Sequence, residues 1–173
     1  MQAVFGTDGV RGKFNKELTY SLACKIGYSL GKIIKDEGQI LIGRDTRISG
    51  PSLLEALTKG LNAANKDVID LGICPTPAIP FLVRKMGFSA GVMISASHNP
   101  PEYNGIKIFD RRGNKLKPLK EREIERNLSK ISDIDINKAT KKSYLKKFEL
   151  LDTYINSLIS SIEQGSLKGI KIV

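Results

Sequence analysis

"GVMISASHNP", residues 91–100, decides how the chain is read. Gly91-Val92-Met93-Ile94 is an unbroken apolar run of the length of a buried strand. Ser95-Ala96-Ser97-His98-Asn99-Pro100 follows with no spacer, small and polar residues closed by a proline. A core strand therefore ends in two serines, an asparagine and the single histidine of the chain.

The neighbouring sequence sets this strand in a larger pattern. Residues 39–43 (QILIG) and 67–73 (DVIDLGI) read as two more buried strands. Helical spacing of Leu22, Ile26, Leu30, Ile33 and Ile34 predicts a helix over about 18–35, with Thr19 as its cap and Gly38 as its end. Ser49-Gly50-Pro51 opens a second helix with Ser49 as cap, its apolar face carried by Leu53, Leu54, Leu57, Leu61 and Ala64. A third helix runs over 78–86 and stops at Gly87. Asn104-Gly105 signals a tight turn before a fourth strand, 106–109, antiparallel to 90–94. The alternation predicts an α/β fold, three layers α/β/α around a mixed, mostly parallel four-stranded sheet. In such folds ligands bind beyond the C-terminal ends of the strands. Arg44-Asp45, Cys74-Pro75-Thr76 and residues 95–99 are all expected at that edge.

The flanking regions are less regular. Residues 5–12 (FGTDGVRG) hold three glycines in eight positions and read as a loop. Residues 118–147 are polar and partly helical. An amphipathic helix is expected over 145–162, closed by Gly165, and residues 167–173 begin a strand.

Composition narrows the class. At 173 residues with 40% hydrophobic and 27% charged side chains the chain is globular. No apolar run approaches the ~18–20 residues of a bilayer span, and no secretory signal is evident. Two cysteines form neither a disulfide framework nor a zinc site, so a reduced, cytoplasmic setting is expected. The net charge of +10 is local: residues 107–147 hold 14 Lys or Arg against 6 Asp or Glu. That segment has few aromatics and no nucleic-acid signature, so it reads as a solvated face without a nucleic-acid partner. A basic nucleic-acid module is the alternative from another class; a positive field for an anionic small molecule is a third reading.

Ser97 beside His98 allows three chemistries. Acyl transfer needs a base in reach and a third group to orient it. Adjacent residues on an extended chain point apart, and Gly-x-Ser-x-Gly is absent. A phosphate-carrying serine would need cations and amides around it, which Arg11, Arg44, Asn99, Asn104 and Lys107 could supply. The third reading is structural, with Ser97 and Asn99 capping a turn.

Four motifs together, FGTDGVRG (5–12), GRDTRISG (43–50), Thr76-Pro77 before a helix, and ISASHNP (94–100) followed by Asn104-Gly105-Ile106-Lys107, closely resemble the first domain of the α-D-phosphohexomutases. The first and fourth are most similar to the phosphoglucosamine mutase branch. The resemblance is strong over residues 4–110 and looser beyond. It implies a magnesium-dependent isomerase that moves phosphate between the 1- and 6-positions of a sugar, here glucosamine phosphate, with phosphomannomutase or phosphoglucomutase activity as the alternative. By the same resemblance Ser97 carries the phosphoryl group, and glucosamine 1,6-bisphosphate is the intermediate. Lys107 becomes a general acid or base and clamp, and Arg11 approaches the phosphate, with Thr7 and Asp8 as weaker matches. His98 holds the loop or the sugar hydroxyls, and Arg44 and Asp45 brace the serine loop.

The family's Mg²⁺ lies between the serine phosphate and aspartates of a second domain, whose Asp-Gly-Asp-Gly-Asp loop is not found here. Ser97, through its phosphate, is the one metal ligand expected from this chain. Asp133, Asp135 and Asn137 have a calcium-loop spacing, but Lys138 stands where the glycine belongs. The expected organisation is a phosphoserine domain over 1–165 and the start of a second domain at 166–173. The expected partners are a phosphosugar and the remaining domains of the same enzyme, with no membrane.

Overall fold

The computed structural model of the chain describes residues 5–6, 9–131, 144–162 and 169–171. Among these residues seven strands form one sheet: β1 Phe5–Gly6, β2 Gly9–Lys13, β3 Ile40–Arg44, β4 Val68–Ile73, β5 Ala90–Ile94, β6 Tyr103–Asp110 and β7 Tyr144–Lys146. Their order is β1-β2-β6-β5-β3-β4-β7. Among the described residues five helices flank it: α1 Tyr20–Ile33, α2 Gly50–Ala63, α3 Ala78–Met86, α4 Pro118–Leu128 and α5 Leu150–Ser160.

Period-2 alternation sorts the core into two halves. Ile40 and Ile42 of β3, Val92 and Ile94 of β5, and Ile106 and Ile108 of β6 pack against α1, α2 and α4. Leu41, Ile69, Leu71 and Met93 turn to the opposite face, against α3 and the Leu150, Leu151 and Tyr154 side chains of α5. The three-layer α/β/α reading therefore holds. The middle strands β5, β3 and β4 are parallel, and β6 is antiparallel to β5 with Val92 opposite Ile108.

The sheet is wider than the four strands expected. The stretch read as a glycine loop contains β1 and β2, and β2 pairs antiparallel with β6, Arg11 opposite Gly105. Its glycines serve close approach rather than looping. A Cβ on Gly9, whose φ is +97°, would fall 2.3 Å from the Ile106 carbonyl oxygen. The helix expected from residue 145 begins at Leu150, because Tyr144–Lys146 pairs parallel with β4 instead. Asn104-Gly105 lies within β6, and the reversal falls upstream, where the Tyr103 N–H donates to the Pro100 carbonyl at 3.0 Å.

The helix boundaries follow their caps. Thr19 Oγ1 accepts from the Leu22 N–H at 3.1 Å, and Gly87 ends α3 at φ +77°. Gly38 does not close α1, which stops at Ile33 with Ile34 already extended. Ser49 is no side-chain cap: its backbone is helical and its hydroxyl is engaged elsewhere. α5 buries none of its residues. Its first turns touch α3 through an edge-on Phe81–Tyr154 contact of 5.4 Å, while Ile155, Leu158, Ile159 and Ile162 stay exposed. Among the described residues no helix is long and apolar enough to cross a membrane. Gly165, Asp133, Asp135, Asn137 and the expected boundary at 165/166 lie outside the described residues, as do Thr7 and Asp8.

Candidate functional site

The three polar loops meet at one sheet edge, stitched by main-chain bonds. The Asp45 N–H donates to the Ile94 carbonyl at 3.0 Å, joining the ends of β3 and β5. The Cys74 N–H donates to the Arg44 carbonyl at 3.0 Å, joining β4 to β3. Gly43 allows this closeness, since a Cβ there would fall 2.4 Å from Cys74 Sγ. Burial pushes the Cys74 thiol up to about 11, although a hydrogen bond to Arg44 opposes the shift. At neutral pH that thiol is a packing group, not a nucleophile.

Ser97 is exposed at the tip of the loop after β5, with φ +58°, in the left-handed region. It is the second residue of a four-residue turn closed by the Asn99 N–H on the Ala96 carbonyl at 3.1 Å. The Ser97 N–H donates to Ser95 Oγ at 3.0 Å. A side chain in this backbone region costs about 1–3 kcal/mol, so surrounding contacts must impose it. The turn also corrects an expectation. The chain here is not extended, and Ser97 Oγ and His98 Nδ1 approach to 3.4 Å. That contact is long for a hydrogen bond. Among the described residues no carboxylate orients the imidazole, so acyl transfer gains nothing from it.

Arg47 imposes the turn. Nη2 donates to the carbonyls of Ser97 at 2.9 Å and Asn99 at 2.8 Å. Nη1 donates to those of Pro100 at 2.7 Å and Tyr103 at 3.0 Å. Nε donates to Asp45 Oδ2 at 3.0 Å, and Asp45 Oδ1 accepts from the Arg47 N–H at 3.1 Å. The Arg47 side chain is only 10% exposed. Reading the sequence singled out Arg44 and Asp45 and missed Arg47. The available signal was local: an Asp two residues before an Arg can accept from its main chain and aim its side chain.

The other candidates divide. Val10, Ile106 and Ile108 face the larger core, so Arg11, Gly105 and Lys107 share the opposite face of the sheet. Gly105 lies between Arg11 and the end of β5: a Cβ there would stand 3.2 Å from Arg11 Cγ and 2.7 Å from the Ser95 carbonyl oxygen. Lys107 follows two residues along β6, opposite Met93 and half-buried. Asn99 contributes its main chain to the turn. Asn104 is fully buried: its Nδ2 donates to Ser49 Oγ at 2.8 Å and its Oδ1 accepts from the Gly105 N–H at 2.8 Å. Both ends of that amide are committed within the fold. Arg44 runs beside Gly50 and lines a cavity of about 760 Å³ between α2 and the β4–β7 edge, with Leu54, Tyr144 and Phe148. Its guanidinium donates to the Asp45 carbonyl at 3.4 Å rather than to the serine turn. Thr7 lies outside the described residues.

Among the described residues no three His, Cys, Asp or Glu side chains gather to hold a metal. The donor set near Ser97 therefore does not by itself fit a divalent ion, which prefers six oxygen ligands. Arg11 and Lys107 put cationic side chains on one face of the adjoining strands, which suits an anion.

The sequence from residue 2 to 135 matches the family described as phosphoglucomutase/phosphomannomutase, alpha/beta/alpha domain I. A phosphoglucosamine mutase of Prochlorococcus marinus (strain MIT 9515) is 57% identical over 173 residues, 100% of this chain and 38% of the relative. One from Synechococcus sp. (strain CC9311) is 46% identical over 169 residues, 98% of this chain and 37% of the relative. The chain thus spans well under half the length of these relatives. Among solved structures, a phosphoglucomutase/phosphomannomutase family protein of Burkholderia thailandensis superposes with TM-score 0.76 at 27% identity, covering 94% of this chain and 36% of that one. A candidate phosphomannomutase of Thermus thermophilus gives TM-score 0.83 at 28% identity, with coverage of 98% and 38%. Fold, motif order and sequence agree, and the chain belongs to the phosphoglucomutase/phosphomannomutase family as its α/β/α domain I.

Proposed function

We propose that this chain is the phosphoserine-bearing part of a phosphoglucosamine mutase, which interconverts glucosamine 6-phosphate and glucosamine 1-phosphate in the cytoplasm. One observation carries the reading: an exposed serine held at positive φ on the rim of a mixed sheet, with Arg11 and Lys107 on one face of the adjoining strands. A hydroxyl displayed at that cost suits a group that must meet a second molecule.

In the reaction the bond between phosphorus and Ser97 Oγ breaks as one forms to a sugar hydroxyl oxygen. The sugar hydroxyl gives up its proton and Ser97 Oγ gains one. The resulting 1,6-bisphosphate turns over and returns its other phosphate to Ser97. Phosphoryl transfer depends on positioning and on stabilising charge at the equatorial oxygens. Lys107 serves as proton carrier and clamp, Arg11 as a phosphate contact, and His98 as a partner of the hydroxyl or sugar. Thr7 belongs to the same proposed phosphate contacts by family resemblance. The main chain of Asn99 shapes the turn, and Asn104 supports the strand beneath it. Mg²⁺ would add neutralising charge at the phosphate, with its other ligands supplied from outside this chain. The exposed apolar stripe of α5 supports a polypeptide partner, for which the remaining domains of the enzyme are the reading offered.

The test is phosphopeptide mapping of the full-length protein, before and after incubation with glucosamine 1,6-bisphosphate and Mg²⁺, paired with turnover of Ser97→Ala. Phosphate on Ser97 and loss of turnover in the variant are expected. An unmodified Ser97 in folded protein, with turnover intact in Ser97→Ala, would sink the reading. Comparing turnover on glucosamine, glucose and mannose phosphates separates the family alternatives.

A further inference from the structure

We infer that Arg47 is a positioning residue for the transfer: its guanidinium fixes the turn that aims Ser97 Oγ, without itself touching substrate. The inference rests on the phosphoserine reading above. A guanidinium has five N–H donors in a rigid fork. All five are engaged here. One meets Asp45 and four meet the carbonyls of Ser97, Asn99, Pro100 and Tyr103. The acceptors run from Ser97 to Tyr103, the first residue of β6, so one side chain ties most of the connection together.

The loop's other supports each hold one half. The Asn99–Ala96 bond and the Ser97–Ser95 bond hold its first half; the Tyr103–Pro100 bond, the Phe14 N–H donating to the Glu102 carbonyl at 2.9 Å and a Lys13–Glu102 ion pair hold its second. Neither half fixes the other, and Ser97 sits at a φ that side chains rarely adopt. Arg47 joins the halves, and Asp45 aims Arg47. The Asp45 N–H is in turn anchored to the Ile94 carbonyl of β5. The serine is thereby referenced to the rigid sheet at two points. The charge of Arg47 also stands against the main chain of the residue that would carry a phosphate dianion.

Transfer to a bound acceptor demands near-attack geometry, and a misplacement of about 1 Å can cost roughly 100-fold. Lysine cannot replace the fork, because an ammonium offers three donors from a point. Arg47→Lys in the full-length protein is therefore expected to lower kcat by about 10- to 100-fold with KM changed by less than about threefold. Its unfolding midpoint should stay close to that of the parent. Asp45→Asn, which loosens the fork from behind, should give the same split at smaller size, and serves if Arg47→Lys does not fold. A kcat within about twofold of the parent in a folded variant overturns the inference. So does a loss of kcat that only follows a fall in unfolding midpoint. The Ser97→Ala control separates the two readings. If Ser97→Ala abolishes turnover while Arg47→Lys leaves it intact, only the positioning role falls. If Ser97→Ala itself turns over, the phosphoserine reading falls first.

Discussion

At the scale of single residues the site is built from main-chain geometry more than from side chains that approach a ligand. Ser97 gains its exposure from a left-handed backbone. Asn104, which looks from sequence like a phosphate contact, is committed to Ser49 and Gly105. The serine motif is contiguous and so stands out in the sequence, whereas Arg11 and Lys107 came from family resemblance and are brought to one sheet face by the strands. Arg47 was missed: Asp45 is a local signal, but its other four acceptors are carbonyls about fifty residues away, which have no sequence signature. Two titratable groups give a pH prediction. Cys74 moves from 9.0 to about 11 through burial. Tyr20 moves from 10.0 to about 12 through burial and its hydrogen bond to Glu55. A raised folded-state value means the contribution is complete below the unfolded value and fades as pH passes the folded one. Stability should therefore fall progressively from pH 9 to about 12, beginning with Cys74. Urea titrations across that range check it, and Cys74→Ala should flatten the lower part of the decline.

At the scale of elements, the helices with long apolar faces were readable, and the short strands defined by their pairing partners were not. β2 escaped because Gly9 and Gly12 mimic a loop. β7 escaped because three residues cannot show a period, and its pairing partner lies some seventy positions upstream. Helices α1 and α2 show the same dependence on glycine. A Cβ on Gly60 would fall 1.9 Å from the Cys24 carbonyl oxygen, and one on Gly27 would fall 2.4 Å from that of Leu57. The two backbones are in contact, each glycine facing the other helix. Gly60→Ala must push α1 and α2 apart and should destabilise the protein by about 1–3 kcal/mol. A denaturation midpoint equal to that of the parent would show that the pair can relax.

At the scale of the whole molecule, the fold collects chemistry on one rim and leaves an apolar stripe on α5 bare. The polarity of the sheet was predictable from helix–strand alternation. Its width was not, because the flanking strands are defined by their partners. The relatives are more than twice as long as the chain. The 173 residues expressed alone are therefore expected to fold yet show no turnover with glucosamine phosphate and Mg²⁺. Substantial turnover would mean that the remaining polypeptide is dispensable. The guanidinium of Arg47 has one more consequence. It grips four peptide oxygens and none of the side chains between them, so its hold does not depend on which residues occupy the loop. The outward-facing positions 101 and 102 can then drift or be redesigned while the anchor stays in place. One arginine makes the reactive turn a fixed mount with exchangeable trim, on which a lineage can alter what surrounds the serine without having to refold it.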